Sequence, residues 1–437
     1  MRFSKILTLS LLFLIYSVSV FATELKVYPN ALAPDYSNIQ DAVDAASDGD
    51  IIYIDTMTYI GNVTISDKAI SLYPMRDEGM YTINGDLTIY INHNETVYIQ
   101  GLSGGSVNVY DTGSGGTNTS QEFTRKIIFN GCYFSSTASV YNYVLAEIYY
   151  SEFNSYISMY DCELIGNTFN NGVNIQDGTY AGETKIFANK FERTNCSNLL
   201  NLDTRRNAHI ANNYFMANPN SNCYSNSYFI NVNCDSDQVE VLFENNVFRR
   251  GGESNYTYSN YASNSAIIFT NGIISVRNNY FKFLQSSYSN YEVYTAQGIS
   301  CSSVAVYSFT YNIVSLYDYN QSTISTLENG GYMGIGDIST IENNYYQLPT
   351  ISTVPETLGY ITSVSDLGSP DASCRDIDNT VNNIGTYGGP HSWENYHSTS
   401  ISRAQILDLE IPYYQVILPG VELQFNSKAI NKNIPAQ

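Results

Sequence analysis

A six-residue pattern, apolar-x-x-Asn-x-aromatic, recurs along this chain, and few folds can house a repeat of that kind. It reads LIGNTF at 164–169, IFANKF at 186–191, IANNYF at 210–215, FENNVF at 243–248, VRNNYF at 276–281 and IENNYY at 341–346, with looser copies FNGCYF at 129–134 and FTYNIV at 309–314. From Phe215 onward the closing positions lie 33, 33, 33 and 32 residues apart. Such a period is too short for a domain with its own core. It suits one coil of a solenoid, whose apolar face is buried only by stacking on its neighbours.

The segments between the copies choose the kind of solenoid. Ser106-Val107-Asn108-Val109 and Gln238-Val239-Glu240-Val241 alternate polar and apolar residues, the period of a strand and not of a helix. Ser265-Ala266-Ile267-Ile268-Phe269 is a short apolar run, as in a strand buried on both faces. Parallel stacking would bring equivalent residues to about 4.8 Å, so the repeated Asn becomes a structural ladder of Asn167, Asn189, Asn213, Asn246, Asn279, Asn312 and Asn344. Asn suits the place twice over. It tolerates the left-handed backbone of a tight corner, and its amide bonds the amides above and below. The aromatic two positions on is expected to point inward and stack.

Ahead of the repeats, Ser37-Asn38-Ile39-Gln40 reads as a capping box opening a short helix with an apolar stripe of Ile39, Val43 and Ala46. That helix would close the open end of the coil, since an uncovered end invites edge-to-edge association. Asp48-Gly49-Asp50 then turns the chain into a first strand at Ile51–Ile54. Residues 1–22 read as a signal peptide, with Arg2 and Lys5 before an apolar run and Val20-Phe21-Ala22 at its end. The expected organisation is a leader over 1–22, a parallel β-helix with its N-terminal cap over 23–396, and a C-terminal β tail over 397–437. The tail alternates between Ile406 and Ala429 as two or three strands, either a further cap or the start of a sandwich-like module.

Two segments carry a family resemblance. Tyr36 to Ser71, with Ile39-Gln40-Asp41-Ala42 and Gly49-Asp50-Ile51-Ile52, resembles the N-terminal cap and first coils of pectin-lyase-like β-helix proteins, although Thr56-Met57-Thr58-Tyr59 lacks the usual Gly. Gly368 to Trp393 resembles the closing coil of secreted bacterial β-helix proteins, with Asn379 and Asn383 in place of the usual Gly and Asp. The resemblance implies an all-β fold, a right-handed parallel β-helix. It also raises activity on acidic polysaccharides, yet a fold carries no activity without a site. The residue sets of pectate lyases, polygalacturonases and pectin methylesterases are absent, and Gln176-Asp177-Gly178-Thr179 matches the last only loosely.

Composition narrows the partners. With 20 Lys and Arg against 41 Asp and Glu, the net charge is −21, and loss of a leader bearing Arg2 and Lys5 makes it more negative. Nucleic acid and anionic membranes need clustered basic residues, so neither is expected. No segment is apolar for the about 20 residues a membrane span requires. The seven cysteines are scattered without a CxxC pair, which disfavours zinc. Buried thiols are expected ahead of disulfides, with Cys223 and Cys234 the closest pair in sequence.

Four groups of residues are candidates for chemistry. After the repeat's aromatic come Arg193, Arg249, Arg250 and Lys282, which would form a basic corner column able to hold a uronate or supply a base, or simply a solvated corner. Arg205, Arg206 and His209 form a looser cluster before a strand, more often a structural arrangement. Asp376 and Asp378, with Thr380, could offer oxygens to calcium, the one cofactor considered. Val381 and Tyr387 stand where an EF-hand loop needs Gly and Glu, so a solvated turn is the simpler account. Tyr256, Tyr258, Tyr261, Tyr288 and Tyr291 lie in long Tyr/Ser/Asn excursions whose composition matches sugar-binding surfaces and equally matches ordinary exposed strands.

The expectation is a monomeric, non-catalytic secreted or cell-surface protein that displays these loops to an extracellular polysaccharide or matrix. A polysaccharide lyase-like enzyme with an unfamiliar site is the alternative.

Overall fold

Each copy of the repeat carries the chain around one corner of a coil. The computed structural model describes residues 22–346, 365–397, 404–410 and 426–431, apart from short internal stretches and the excursions 113–124, 218–229, 251–266, 285–298 and 318–339. The leader therefore lies outside the described residues. One coil runs from Ala208–Ala211 through Tyr214–Ala217 to Ile230–Cys234, and each of these strands belongs to a different sheet. The first sheet has thirteen strands, the second twelve and the third ten, all paired in parallel with the coils above and below. The chain is a right-handed parallel β-helix, as the repeat predicts.

In-register stacking explains why the pattern recurs. Its apolar opening position forms the column Ile186, Ile210, Phe243, Val276 and Phe309 in the first sheet. Its aromatic closing position builds a stack inside the second sheet, in which Phe134, Phe153, Phe169, Phe191, Phe215, Phe248 and Phe281 lie 4.7–5.2 Å apart, centroid to centroid. At the corner between the two sheets runs the ladder. From Asn167 to Asn344, each Nδ2 donates to the next Oδ1 at 2.9–3.1 Å. The backbone N–H of each donates to that same oxygen at 2.9–3.0 Å. Six of the seven, all but Asn344, have no exposed surface.

The ladder residues are not the left-handed ones. That conformation falls one residue earlier, at Gly166, Ala188, Asn212, Asn245, Asn278, Tyr311 and Asn343, with φ between 53° and 70°. A two-residue corner divides the labour: one residue reverses the chain, and the next points its amide along the stacking axis. The first has its side chain left outside, which proves consequential.

Residues 366–397 form no closing coil. Their described residues contain no β-strand and lie as a strap across the outside of that same corner, running back down the stack. Ser369 N–H donates to Asn278 Oδ1 at 2.8 Å, and Asn245 Nδ2 donates to Asn382 Oδ1 at 2.8 Å and the Asn383 carbonyl at 2.7 Å. Asn212 Nδ2 donates to the Thr386 and Gly388 carbonyls at 3.0 and 2.6 Å. At the far end, His397 Nε2–H donates to the Ala188 carbonyl at 2.7 Å. Beneath the strap is a second apolar core, joining Phe187 of the first sheet and Tyr214, Val247 and Tyr280 of the second to Ile384, Trp393 and Tyr396. A coil would need a strand for each of the three sheets, and this segment spends its residues instead on contacts with successive corners.

The N-terminal cap also differs in detail. Asn38, not Ser37, caps helix Ile39–Ala45 by accepting from Gln40 N–H at 2.9 Å. Gln40 is thereby free for another task. Its Nε2 donates to the Thr64 carbonyl at 3.0 Å and its Oε1 accepts from Thr64 N–H at 2.7 Å. Thr64 sits in Val63–Ser66, the edge strand of the third sheet, so the side-chain amide stands in for a missing strand. A strand at Glu24–Val27 precedes the expected first one and pairs with Ile51–Ile54. In the tail, Ala404–Glu410 and Asn426–Asn431 form an antiparallel hairpin.

Candidate functional site

The strap covers the outer faces of the first and second sheets near their shared corner, and its apolar core includes no residue of the third. The third sheet's outer face thus lies away from the strap's core. Strand alternation places one column along it: Thr64, Thr88, Asn108, Ser139, Ser158, Asn174, Asn201 and Asn231, each paired in register with the next. Their inward neighbours, such as Val107 and Val109 around Asn108, are buried, whereas the column itself is half-exposed and Thr64 exposed. Eight rungs at strand spacing extend about 34 Å. None of the eight is charged.

Beside this column Tyr90, Tyr110 and Tyr141 stack, with centroids 5.4 and 4.5 Å apart and rings within 21° of parallel. Tyr141 is 42% exposed. Along the border of this face runs a charge ladder: Arg205 Nε meets Asp177 Oδ2 at 2.5 Å in the coil below and Asp235 Oδ2 at 3.1 Å in the coil above. Next to it Arg206 pairs with the buried Asp161 at 2.7 Å. Burial raises the Asp177 carboxyl above its ordinary value, against the pull of Arg205. These arginines answer carboxylates of this chain, which accounts for their clustering.

His209 belongs elsewhere. It lies on the outer face of the first sheet, where its Nε2 is 3.3 Å from Glu244, which also receives Arg277 Nε at 2.9 Å. Burial pushes Glu244 up, but the His209 hydrogen bond and the Arg277 guanidinium outweigh it and hold the carboxyl at about 2. The strap's buried Cys374 lies in the field of both Glu244 and Arg277, so this group ties strap to coil.

The basic residues divide into two columns along the strands of the second sheet. Arg249 pairs in register with Lys282, while Arg193 aligns with Ala217 and Arg250. Arg249 is buried, and its Nη1 donates to Tyr214 Oη at 3.5 Å. Asp376 accepts the backbone N–H groups of Asn383 and Gly389, and Asp378 caps Thr380 N–H and Oγ1 at 3.0 and 2.7 Å. Both carboxylates thus shape the strap's own turns. Among the described residues no three His, Cys, Asp or Glu gather around a common metal position. Tyr256, Tyr258, Tyr261, Tyr288 and Tyr291 lie outside the described residues, as does Cys223. Cys132, Cys162, Cys234 and Cys374 are buried free thiols.

Sequence reasoning passed over the third-sheet column, although it leaves a signal. An apolar-Thr/Ser/Asn-apolar triplet occurs once per coil, as VTI at 63–65, LTI at 87–89, VNV at 107–109, ASV at 138–140, ISM at 157–159, VNI at 173–175, LNL at 200–202 and INV at 230–232. No helix among the described residues is long and apolar enough to cross a membrane. Comparison with protein-family models, with curated proteins and with solved structures gives no match to this chain.

Proposed function

We propose that this is a non-catalytic secreted or cell-surface protein that binds an extracellular glycan on the outer face of its third sheet. The observation that carries the reading is the half-exposed column of hydroxyls and amides beside the Tyr90, Tyr110 and Tyr141 stack. Hydroxyl and amide groups can both donate and accept, as sugar hydroxyls do, and tyrosine offers a rigid amphipathic surface at low entropic cost. A three-sheet coil with an Asn ladder at one corner also fits the pectin-lyase-like type that the Tyr36–Ser71 segment resembles. A lyase would need a base converging with acids beside its substrate, and the arginines along this face are engaged with carboxylates.

The test is a panel of neutral and acidic polysaccharides incubated with the purified chain, with and without calcium, scored for binding, for unsaturated-product absorbance and for new reducing ends. Binding without turnover is the expected result. Product formation abolished by Arg249→Ala would replace this reading with an enzyme.

A further inference from the structure

The third-sheet face carries information about the charge of its ligand as well as its class. We infer, resting on the glycan-binding reading above, that the ligand is an uncharged polysaccharide chain lying lengthwise along the column from Thr64 to Asn231.

Charge decides the first half. A uronate or sulfate carried into a sheet face must exchange its water for a cationic or N–H partner, or lose that hydration without replacement. The eight rungs offer no Lys or Arg. The nearest guanidiniums, at the border, are already engaged: Arg205 by Asp177 and Asp235, Arg206 by Asp161 and Arg125 by Asp111. The surface around them is acidic, within a chain of net charge −21, and repels polyanions over about 8–10 Å. A neutral sugar meets none of these costs. Its hydroxyls match Thr, Ser and Asn, and its apolar ring faces can pack on Tyr141.

Shape decides the second half. The hydroxyls and amides repeat eightfold along the stacking axis, whereas across it alternation turns every second residue inward and leaves each strand only one or two outward polar side chains, such as Asn201 with Asp203 and Asn231 with Asn233. A chain crossing the sheet would meet one or two polar rungs before the border, one side of which is the Asp177, Arg205 and Asp235 ladder. A chain following the axis meets eight, alongside a tyrosine stack that runs the same way.

The experiment measures the affinity of the full chain for neutral oligosaccharides of increasing length (β-glucan, xylan and mannan series) and for oligogalacturonate and alginate fragments, at low and high salt. Unchanged emission from Trp393 certifies that each variant keeps its strap. The inference expects neutral oligomers to bind, with affinity rising over many sugar units and little salt dependence. It expects Asn174→Ala combined with Asn201→Ala to weaken binding about tenfold, Tyr110→Ala to weaken it as well, and Arg249→Ala to leave it unchanged. Preferential, salt-sensitive binding of the acidic fragments that is lost in the Asn174/Asn201 variant would overturn the inference while keeping a glycan site on this face. Affinity that saturates at a di- or trisaccharide overturns the lengthwise course. Binding lost on Arg249→Ala but not on the column variants, or no glycan binding at all, overturns the inference together with the reading beneath it.

Discussion

Replacing Asn246 by alanine removes a central rung of the corner ladder, and its cost can be worked from the bonds it makes. Its Oδ1 accepts from Asn213 N–H and Asn213 Nδ2, both at 3.0 Å, and its Nδ2 donates to the Ile210 carbonyl at 2.7 Å and Asn279 Oδ1 at 2.9 Å. Asn213 Nδ2 keeps the Ile186 carbonyl, and Asn279 Oδ1 keeps the Asn246 backbone N–H. What loses a bond without replacement is the Asn213 N–H and the ladder bond to the Ile210 carbonyl, at a site with no solvent. At roughly 1–3 kcal/mol for each buried polar group left short, the expected loss is about 4 kcal/mol. Asn344, the last rung, is half-exposed, so water can repair part of the damage and Asn344→Ala should cost less than half as much. Equilibrium urea unfolding, followed by far-ultraviolet circular dichroism, compares the two variants with the parent. A loss below about 1 kcal/mol at Asn246, or equal losses at the two rungs, would refute the account of the ladder as a fully buried, mutually satisfied chain.

Trp393 is the sole tryptophan and is 7% exposed beneath the strap, so its emission reports docking directly. Asn245→Ala, which removes the amide that anchors the strap and leaves alanine at φ 55°, should shift that emission to the red and open residues 366–397 to limited proteolysis while the far-ultraviolet signal persists. Glu244 titrates at about 2 in the folded chain against an ordinary 4.5, so its contribution is complete above pH 4.5 and drains away as pH falls toward 2. The parent should therefore lose on the order of 3 kcal/mol more than Glu244→Gln across that window, read as the difference in urea midpoints at each pH. Gln40→Ala leaves the third sheet's first edge strand unpaired at Thr64, and native-state hydrogen exchange should quicken at Val63–Ser66 well before it does at Val107–Asp111.

The parts of this fold that sequence could reveal are those that stacking forces to repeat. Asn213, Asn246 and Asn279 each need the same residue above and below, so the ladder is written into the chain at a fixed period. The left-handed residue before each rung is under a weaker constraint, since Gly166, Ala188, Asn212 and Tyr311 all serve, and its role was invisible for that reason. The strap is built from single contacts, each made once, such as Asn212 to Gly388 and His397 to Ala188, and no periodicity announces it. The third-sheet column does repeat, but its coils are of unequal length, 16 residues from Ser158 to Asn174 and 30 from Asn201 to Asn231, and this hides its register until the coils are wound. Charged side chains misled in a different way. Arg205 and Arg206 attract notice in a sequence poor in basic residues, yet their partners Asp161, Asp177 and Asp235 come from three other coils.

The strap changes how load travels through the molecule. A bare solenoid passes tension from one end coil to the other, and a pull on its C-terminus peels coils from that end inward, one at a time. Here the chain leaves the stack beside Ala188, after lying across the corners of Asn278, Asn245 and Asn212. A pull on the hairpin tail therefore enters at the middle of the coil series, and it must first shear the Trp393 and Tyr396 contacts and strip the corner asparagines. The last coils are thereby shielded from a load applied to the tail.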